Sequence, residues 1–338
     1  MSQLALSLAC GDYDRTRPLL DGRVKAEGID FTPIVLPPAE MFRRQARHAE
    51  FAVAEFSLAT HAVLLSRGDR RFVGVPVFPS RSFRHGHILV HAAAGIEQPG
   101  DLIGRRVGCP EYVQTAAVWV RDFLARDHGV HPGQLEWYLG GLDEPAEEER
   151  IEGSAPAGLQ AVRLGAGETL SDLLERGAID ALISADLPRC FLAGSPSVRR
   201  LFPDYHQREM DYYRRTRHFP IMHVVVVRRD VYEREPWVAR SVYKAFAAAK
   251  ALGMRQLSYS GALAASVPFL MHALEETRAL MGPDFWPYGL AANRHTLRAL
   301  LAALHEQGLT ARPVALEELF APETWTGLDP EPEAARPN

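Results

Sequence analysis

Two arginines and two histidines fall close together at Arg81, Arg84, His85 and His87, an anion-binding and proton-carrying cluster set between two apolar runs. A planar guanidinium can donate two parallel hydrogen bonds to a carboxylate. A histidine titrates near neutral pH and can pass a proton. On an extended strand, side chains two apart share a face, which would turn His85 and His87 to one side and bring Arg81 with them. The alternative is a hinge stiffened by the arginines, with the histidines in solvent.

Other candidates repeat this chemistry. Asp12-Tyr13-Asp14-Arg15 offers proton carriers beside an anion donor, with Arg15 suited to a carboxylate and Tyr13 to a phenol, although Asp14 and Arg15 could equally pin a turn. Glu111 and Tyr112 stand just before a predicted helix whose start holds Thr115. Backbone N–H groups there favour an anion and Thr115 adds a hydroxyl, or else merely caps the helix. His223 interrupts an apolar run and must find a partner if buried, so it is either a core histidine or a proton carrier at a crevice. Asp186 and Arg189 follow another strand and are similar candidates, as is the basic, aromatic stretch around Tyr212, Arg214 and His218.

Positioning these groups requires a framework. Leu4 to Cys10 and Ile29 to Leu36 read as strands, the second stopped by Pro37-Pro38, with a helix from Ala39 to about His48. Phe51 to Phe56 reads as a strand, and Ser57 caps a helix through Leu65 that Gly68 ends. This βαβα order favours an open, mainly parallel sheet. A second α/β unit begins near Ile88, with a helix from Thr115 to Ala125 and a buried strand from Ile179 to Ala185. The interval from Gly140 to Gly158 is rich in Gly, Pro and Glu and reads as an exposed connection. Ile221 to Val227 is the strongest strand signal, helices follow Pro236, and the tail from Asp329 reads as frayed. If the strands near Ile88 and Val224 cross between units, residues 1–85 and 235–338 form one lobe and 86–234 the other. Several loops would then meet at a central crevice.

Composition narrows the function. The chain has 338 residues, enough for two lobes, and a formal charge of -4 from 42 acidic and 38 basic residues, which gives no general attraction to nucleic acid. No stretch of about 20 apolar residues predicts a membrane span. Cys10, Cys109 and Cys190 are odd in number and widely spaced, which fits a reducing compartment rather than a thiolate metal site. Before Cys10 there is no basic segment and only a short apolar run, so no secretory signal is read there and a cytoplasmic place is expected. Tight Cys/His spacing, HExxH and EF-hand loops are absent. His85-Gly86-His87 alone would need ligands from distant loops, and no metal is expected.

Several segments in order carry a resemblance: Leu8-Ala9-Cys10-Gly11-Asp12-Tyr13-Asp14-Arg15, Val77-Phe78-Pro79-Ser80-Arg81-Ser82-Phe83-Arg84-His85, Gly108-Cys109-Pro110-Glu111-Tyr112 with Thr115-Ala116-Ala117-Val118-Trp119, Asp180 to Ala185, and Phe219-Pro220-Ile221-Met222-His223. Over nearly its whole length the chain resembles the 4,5-dihydroxyphthalate decarboxylase family. That resemblance implies an α/β, two-lobed fold like the type 2 periplasmic binding proteins, with a central ligand cleft. It also implies a small aromatic carboxylate as partner, and non-oxidative loss of carbon dioxide to leave 3,4-dihydroxybenzoate.

The chemistry requires no organic cofactor. It does require a grip on the retained carboxylate, for which Arg81, Arg84 and Arg15 are candidates, with Tyr13, Tyr112 and Thr115 around them. His85 or His223 would deliver the proton, and Glu111 or Asp14 would orient or deprotonate a hydroxyl. A non-enzymatic binder of an aromatic or dicarboxylate ligand would need the same groups and remains the alternative, as does another lyase or hydrolase for a related acid. Homo-oligomerisation is left open by the sequence.

Overall fold

The computed structural model describes residues 3–145, 149–151, 153, 155–156, 158–159 and 161–326, so the tail from Asp329 lies outside the described residues. Two sheets organise the chain. The first contains β1 (Leu4–Ala9), β2 (Ile29–Ile34), β3 (Val53–Ser57), β4 (Phe72–Val75) and the late strand β11 (His223–Arg228), in the order β2-β1-β3-β11-β4. Helices α1 (Arg17–Leu20), α2 (Pro38–His48) and α3 (Leu58–Ser66) connect the early strands. β1 runs parallel to β2 and β3, whereas β11 is antiparallel to β3 and β4.

The second sheet has the order β10-β5-β9-β6-β7-β8. Its strands are β5 (Ile88–His91), β6 (Arg106–Cys109), β7 (Glu136–Leu139), β8 (Ala161–Arg163), β9 (Ala181–Ile183) and β10 (Val198–Arg200). Between them lie α4 (Thr115–His128), α5 (Leu170–Glu175) and α6 (Arg189–Leu192). α7 (Tyr205–Thr216) leads back to β11, and α8 (Arg229–Arg234), α9 (Val238–Leu257), α10 (Leu270–Met281) and α11 (Leu290–Glu306) complete the helices. α11 packs against both α3 and α4, so a C-terminal helix touches both units.

The sequence reading let the strands near Ile88 and Val224 cross between lobes, and this requires correction. β11 belongs wholly to the first sheet, and its four valines, Val224 to Val227, are fully buried, as expected of a strand covered on both faces. Left-handed Arg217 and then Pro220 break the chain beforehand, so the crossing is complete before the valine run begins.

Two antiparallel connections make the crossings instead. Ser82 N–H donates to Pro220 O at 3.1 Å, Met222 N–H donates to Ser80 O at 2.9 Å, and Arg81 bridges Ile221. The Arg81 guanidinium fastens this pair to the C-terminal region by donating to Phe219 O at 3.2 Å, to Pro287 O at 2.7 Å and to Asn293 Oδ1.

Candidate active site

β3 carries Glu55 into the interior, where its side chain is fully buried. An acid there must be matched by donors, and three converge on it. Gly11 N–H donates to Oε2 at 2.8 Å, Tyr13 O–H to Oε1 at 3.0 Å, and His223 Nδ1 lies 2.6 Å from Oε1. Burial alone would raise the Glu55 carboxyl; the hydrogen bond and charge of His223, followed by the bonds from Gly11 and Tyr13, outweigh burial and hold it below its ordinary value. An ionised carboxylate only accepts, so His223 carries its hydrogen on Nδ1 and leaves Nε2 for the cleft. Burial, with the adjacent Glu55 charge, drives the Tyr13 phenol well above its ordinary range and keeps it a donor. Gly11 is required by close approach: a Cβ there would stand 2.3 Å from Tyr13 Cζ.

Above this buried acid lies a cavity of about 390 Å³, within the usual range for small-molecule sites. Tyr13, Phe42, Ser57 and His223, from the first sheet and its helices, line it together with Arg84, Thr115, Arg150 and Asp186. Phe42 meets the His223 ring edge to face, with centroids 4.7 Å apart. The starts of α2, α3 and α4 all reach this cavity. Those of α3 are already engaged: Leu58 N–H donates to Met222 O, Ala59 N–H to Thr115 Oγ1 and Thr60 N–H to Ser57 Oγ. Thr115 Oγ1 also lies 3.0 Å from Ser57 Oγ, tying α4 to the cap of α3.

Arg84 follows the crossing, and its side chain is buried. Nη1 donates to Ala185 O at 2.7 Å, Nε has no acceptor, and among the described residues no carboxylate reaches it at ion-pair distance. Burial pulls its guanidinium down to about 10, with Asp186 and then Glu209 opposing the shift. Such a cation is electrostatically undersupplied and favours an incoming anion.

Several expected residues stand elsewhere. His85-Gly86-His87 forms a 3-10 turn, so the two histidines do not share a strand face. His85 stacks on Phe123 at 4.2 Å, does not line the cavity, and burial lowers it to about 4. Arg15 lies over Trp286 at 4.1 Å and donates to Pro79 O and to Asp14, while Asp14 lines a separate surface depression beside α9. Arg81 is consumed by the crossing, and Tyr112 is packed in the core against Trp137. These corrections share one cause: each side chain finds a carbonyl, carboxylate or ring closer than the cleft. Glu111 faces an adjoining chamber and forms an ion pair with Arg150 at 2.8 Å. Among the described residues no group of three or more His, Cys, Asp or Glu gathers at metal-binding distance.

Glu55 and Arg150 were not anticipated. Glu55 did leave a signal, as the lone acid of an apolar strand; Arg150 left none, because the Gly/Pro/Glu-rich interval around it reads as surface.

No family model matches the chain. It is 42% identical over 322 residues to the 4,5-dihydroxyphthalate decarboxylase of Comamonas testosteroni, covering 95% of this chain and 98% of that one. The enzyme of the same name from Pseudomonas putida is 42% identical over 214 residues, 63% of this chain and 83% of its own length. Among solved structures, the periplasmic aliphatic sulphonate binding protein SsuA of Escherichia coli aligns with a TM-score of 0.54 at 15% identity, over 96% of this chain and 99% of that one. A putative periplasmic sulfonate-binding protein from Methylobacillus flagellatus KT aligns with a TM-score of 0.51 at 12% identity, over 96% and 93%. At these identities the likeness carries the fold, a two-lobed α/β architecture of the type 2 periplasmic-binding-protein kind. The expected cytoplasmic place is not upheld: the two solved proteins that share this architecture here are periplasmic by name, and that reading is withdrawn. The relative of nearly equal length, matched from end to end, settles the kinship: this chain belongs to the 4,5-dihydroxyphthalate decarboxylase family.

Proposed function

We propose that this protein is a carboxy-lyase that converts 4,5-dihydroxyphthalate into 3,4-dihydroxybenzoate and carbon dioxide, with the His223–Glu55 pair as its proton carrier. The kinship supports the reaction, and the buried carboxylate behind a cleft-lining imidazole supports the role of His223.

In the substrate each carboxylate is para to a hydroxyl. Electron density pushed from that hydroxyl toward the ring allows a proton to be added at the carbon bearing the departing carboxylate. The protonated ring is a ketone-like, non-aromatic intermediate. Cleavage of the carbon–carboxylate bond then returns its electron pair to the ring, restores aromaticity and releases carbon dioxide. One proton is consumed overall and ends on the ring carbon. Nε2–H of His223 is the donor in this scheme, with Glu55 accepting from Nδ1–H and orienting the imidazole as the proton passes to the ring carbon.

Arg84 takes the retained carboxylate, because a buried guanidinium without a carboxylate partner gains most from one. Asp186, which lines the same cavity, accepts from the para hydroxyl. Thr115 and the start of α4 bound the anionic side, and Tyr13 keeps Glu55 oriented. General acid–base catalysis of this kind contributes about 10²–10⁴-fold, and positioning in the cleft supplies more.

The test is incubation of purified protein with 4,5-dihydroxyphthalate. Formation of 3,4-dihydroxybenzoate and carbon dioxide in equal amounts supports the proposal. Saturable binding without either product would make the protein a binder.

A further inference from the structure

The main cavity does not end at Arg84. It adjoins a second chamber of about 370 Å³, and Ala39, Gln114, Arg150 and Asp186 line both. Arg150 therefore stands at the junction. Its side chain is buried, with Nε lacking any acceptor, and its Cζ lies over the Phe42 ring at 5.2 Å. Phe42 is also the ring that the His223 imidazole meets, so Arg150 approaches the site from the proton donor's side.

The backbone around Arg150 is fixed from the first sheet's side. Arg47 of α2 donates to Glu149 O at 3.1 and 2.7 Å, and Arg67, just beyond α3, donates to Gly153 O at 2.9 Å. A residue from the second unit's β7–β8 connection is thereby held against the helices of the first. Glu111 Oε2, 2.8 Å from Nη2, compensates the charge from the adjoining chamber, yet burial still pulls the guanidinium below its ordinary value.

Resting on the reading above that the cleft takes an aromatic diacid, we infer that Arg150 is the second carboxylate-binding residue, engaging the carboxylate that departs while Arg84 holds the one that stays. Two buried guanidinia then face one cavity, one for each acid group of a vicinal pair. The product has lost the group that Arg150 would hold, so the same residue distinguishes diacid from monoacid and weakens the grip once carbon dioxide has left. A contact with the departing carboxylate is made in the ground state, and so it lowers KM more than it raises kcat.

The experiment compares Arg150→Gln and Arg150→Lys with the unaltered protein, by calorimetric titration with phthalate and with 3,4-dihydroxybenzoate. Phthalate lacks the hydroxyls that drive decarboxylation and serves as an unreactive diacid. Arg150→Gln is expected to weaken phthalate at least about 30-fold, and 3,4-dihydroxybenzoate less than about threefold. Arg150→Lys should fall between, because an ammonium lacks the planar fork. With 4,5-dihydroxyphthalate, KM should rise more than kcat falls. Equal losses for both ligands, or no loss for either, would overturn the inference. The ratio is read within one variant, so partial unfolding does not mimic it. An unaltered protein that binds phthalate but releases no carbon dioxide from 4,5-dihydroxyphthalate would sink the enzymatic reading alone, and the ligand ratio would still decide the role of Arg150.

Discussion

His223 Nδ1 lies 2.6 Å from Glu55 Oε1, and that contact between side chains of the paired strands β11 and β3 links the cleft to the buried interior. Glu55 is fully buried, whereas His223 reaches the cavity, so the pair has an inner end that holds charge and an outer end that meets ligand.

Glu55→Gln retains the size of the side chain but removes the negative charge that faces His223 Nδ1. kcat should fall by about 10²-fold or more while phthalate affinity changes little. Steady-state kinetics beside a binding titration check this; a parallel loss in both would give Glu55 a purely structural role.

Arg84→Gln should weaken phthalate and 3,4-dihydroxybenzoate alike, by about 2–5 kcal/mol each, since both ligands keep the carboxylate it holds. Unchanged titration curves would return Arg84 to supporting the crossing through Ala185 O.

His85→Phe should leave turnover within about threefold, because His85 stacks on Phe123 away from the cavity. The same variant reports on acid stability. Burial lowers His85 from its ordinary 6.5 to about 4, and lowers the fully buried His61 similarly. The unfolded chain therefore binds more protons across that interval, and stability must decline as pH falls from about 6.5 toward 4. Thermal melts over that range should show a shallower decline for His85→Phe than for the unaltered protein; identical slopes would contradict the assignment.

Gly11→Ala should lower kcat, since the added methyl would collide with the Tyr13 ring that orients Glu55. Activity equal to the unaltered protein would show that Tyr13 can move without consequence.

Much of this arrangement can be read in the sequence. The Ser57 cap, the helix starting at Thr115 and the apolar runs around Val53 and Val224 locate the walls, and Tyr13, Arg84, Thr115 and His223 do line the cavity. What could not be read depends on contacts distant in sequence. The 3-10 turn at His85 follows from how the crossing meets α7, where Gly86 N–H donates to Glu209 and a Cβ at Gly86 would collide with Tyr205. Arg15 resembles a ligand group until distant Trp286 is seen to hold it, and Arg81 until Pro287 and Asn293, 206 and 212 residues later, are seen to hold it. Arg150 is invisible for the opposite reason: its surroundings read as exposed loop, and only anchoring by Arg47 and the ring of Phe42 places it inside.

The most direct measurement sets the unaltered protein beside His223→Gln, each given 4,5-dihydroxyphthalate, with 3,4-dihydroxybenzoate followed over time and phthalate affinity measured in parallel. The expected result is rapid product formation by the unaltered protein and at least about 100-fold slower formation by the variant at nearly equal affinity. Product formed equally fast by His223→Gln would contradict the account.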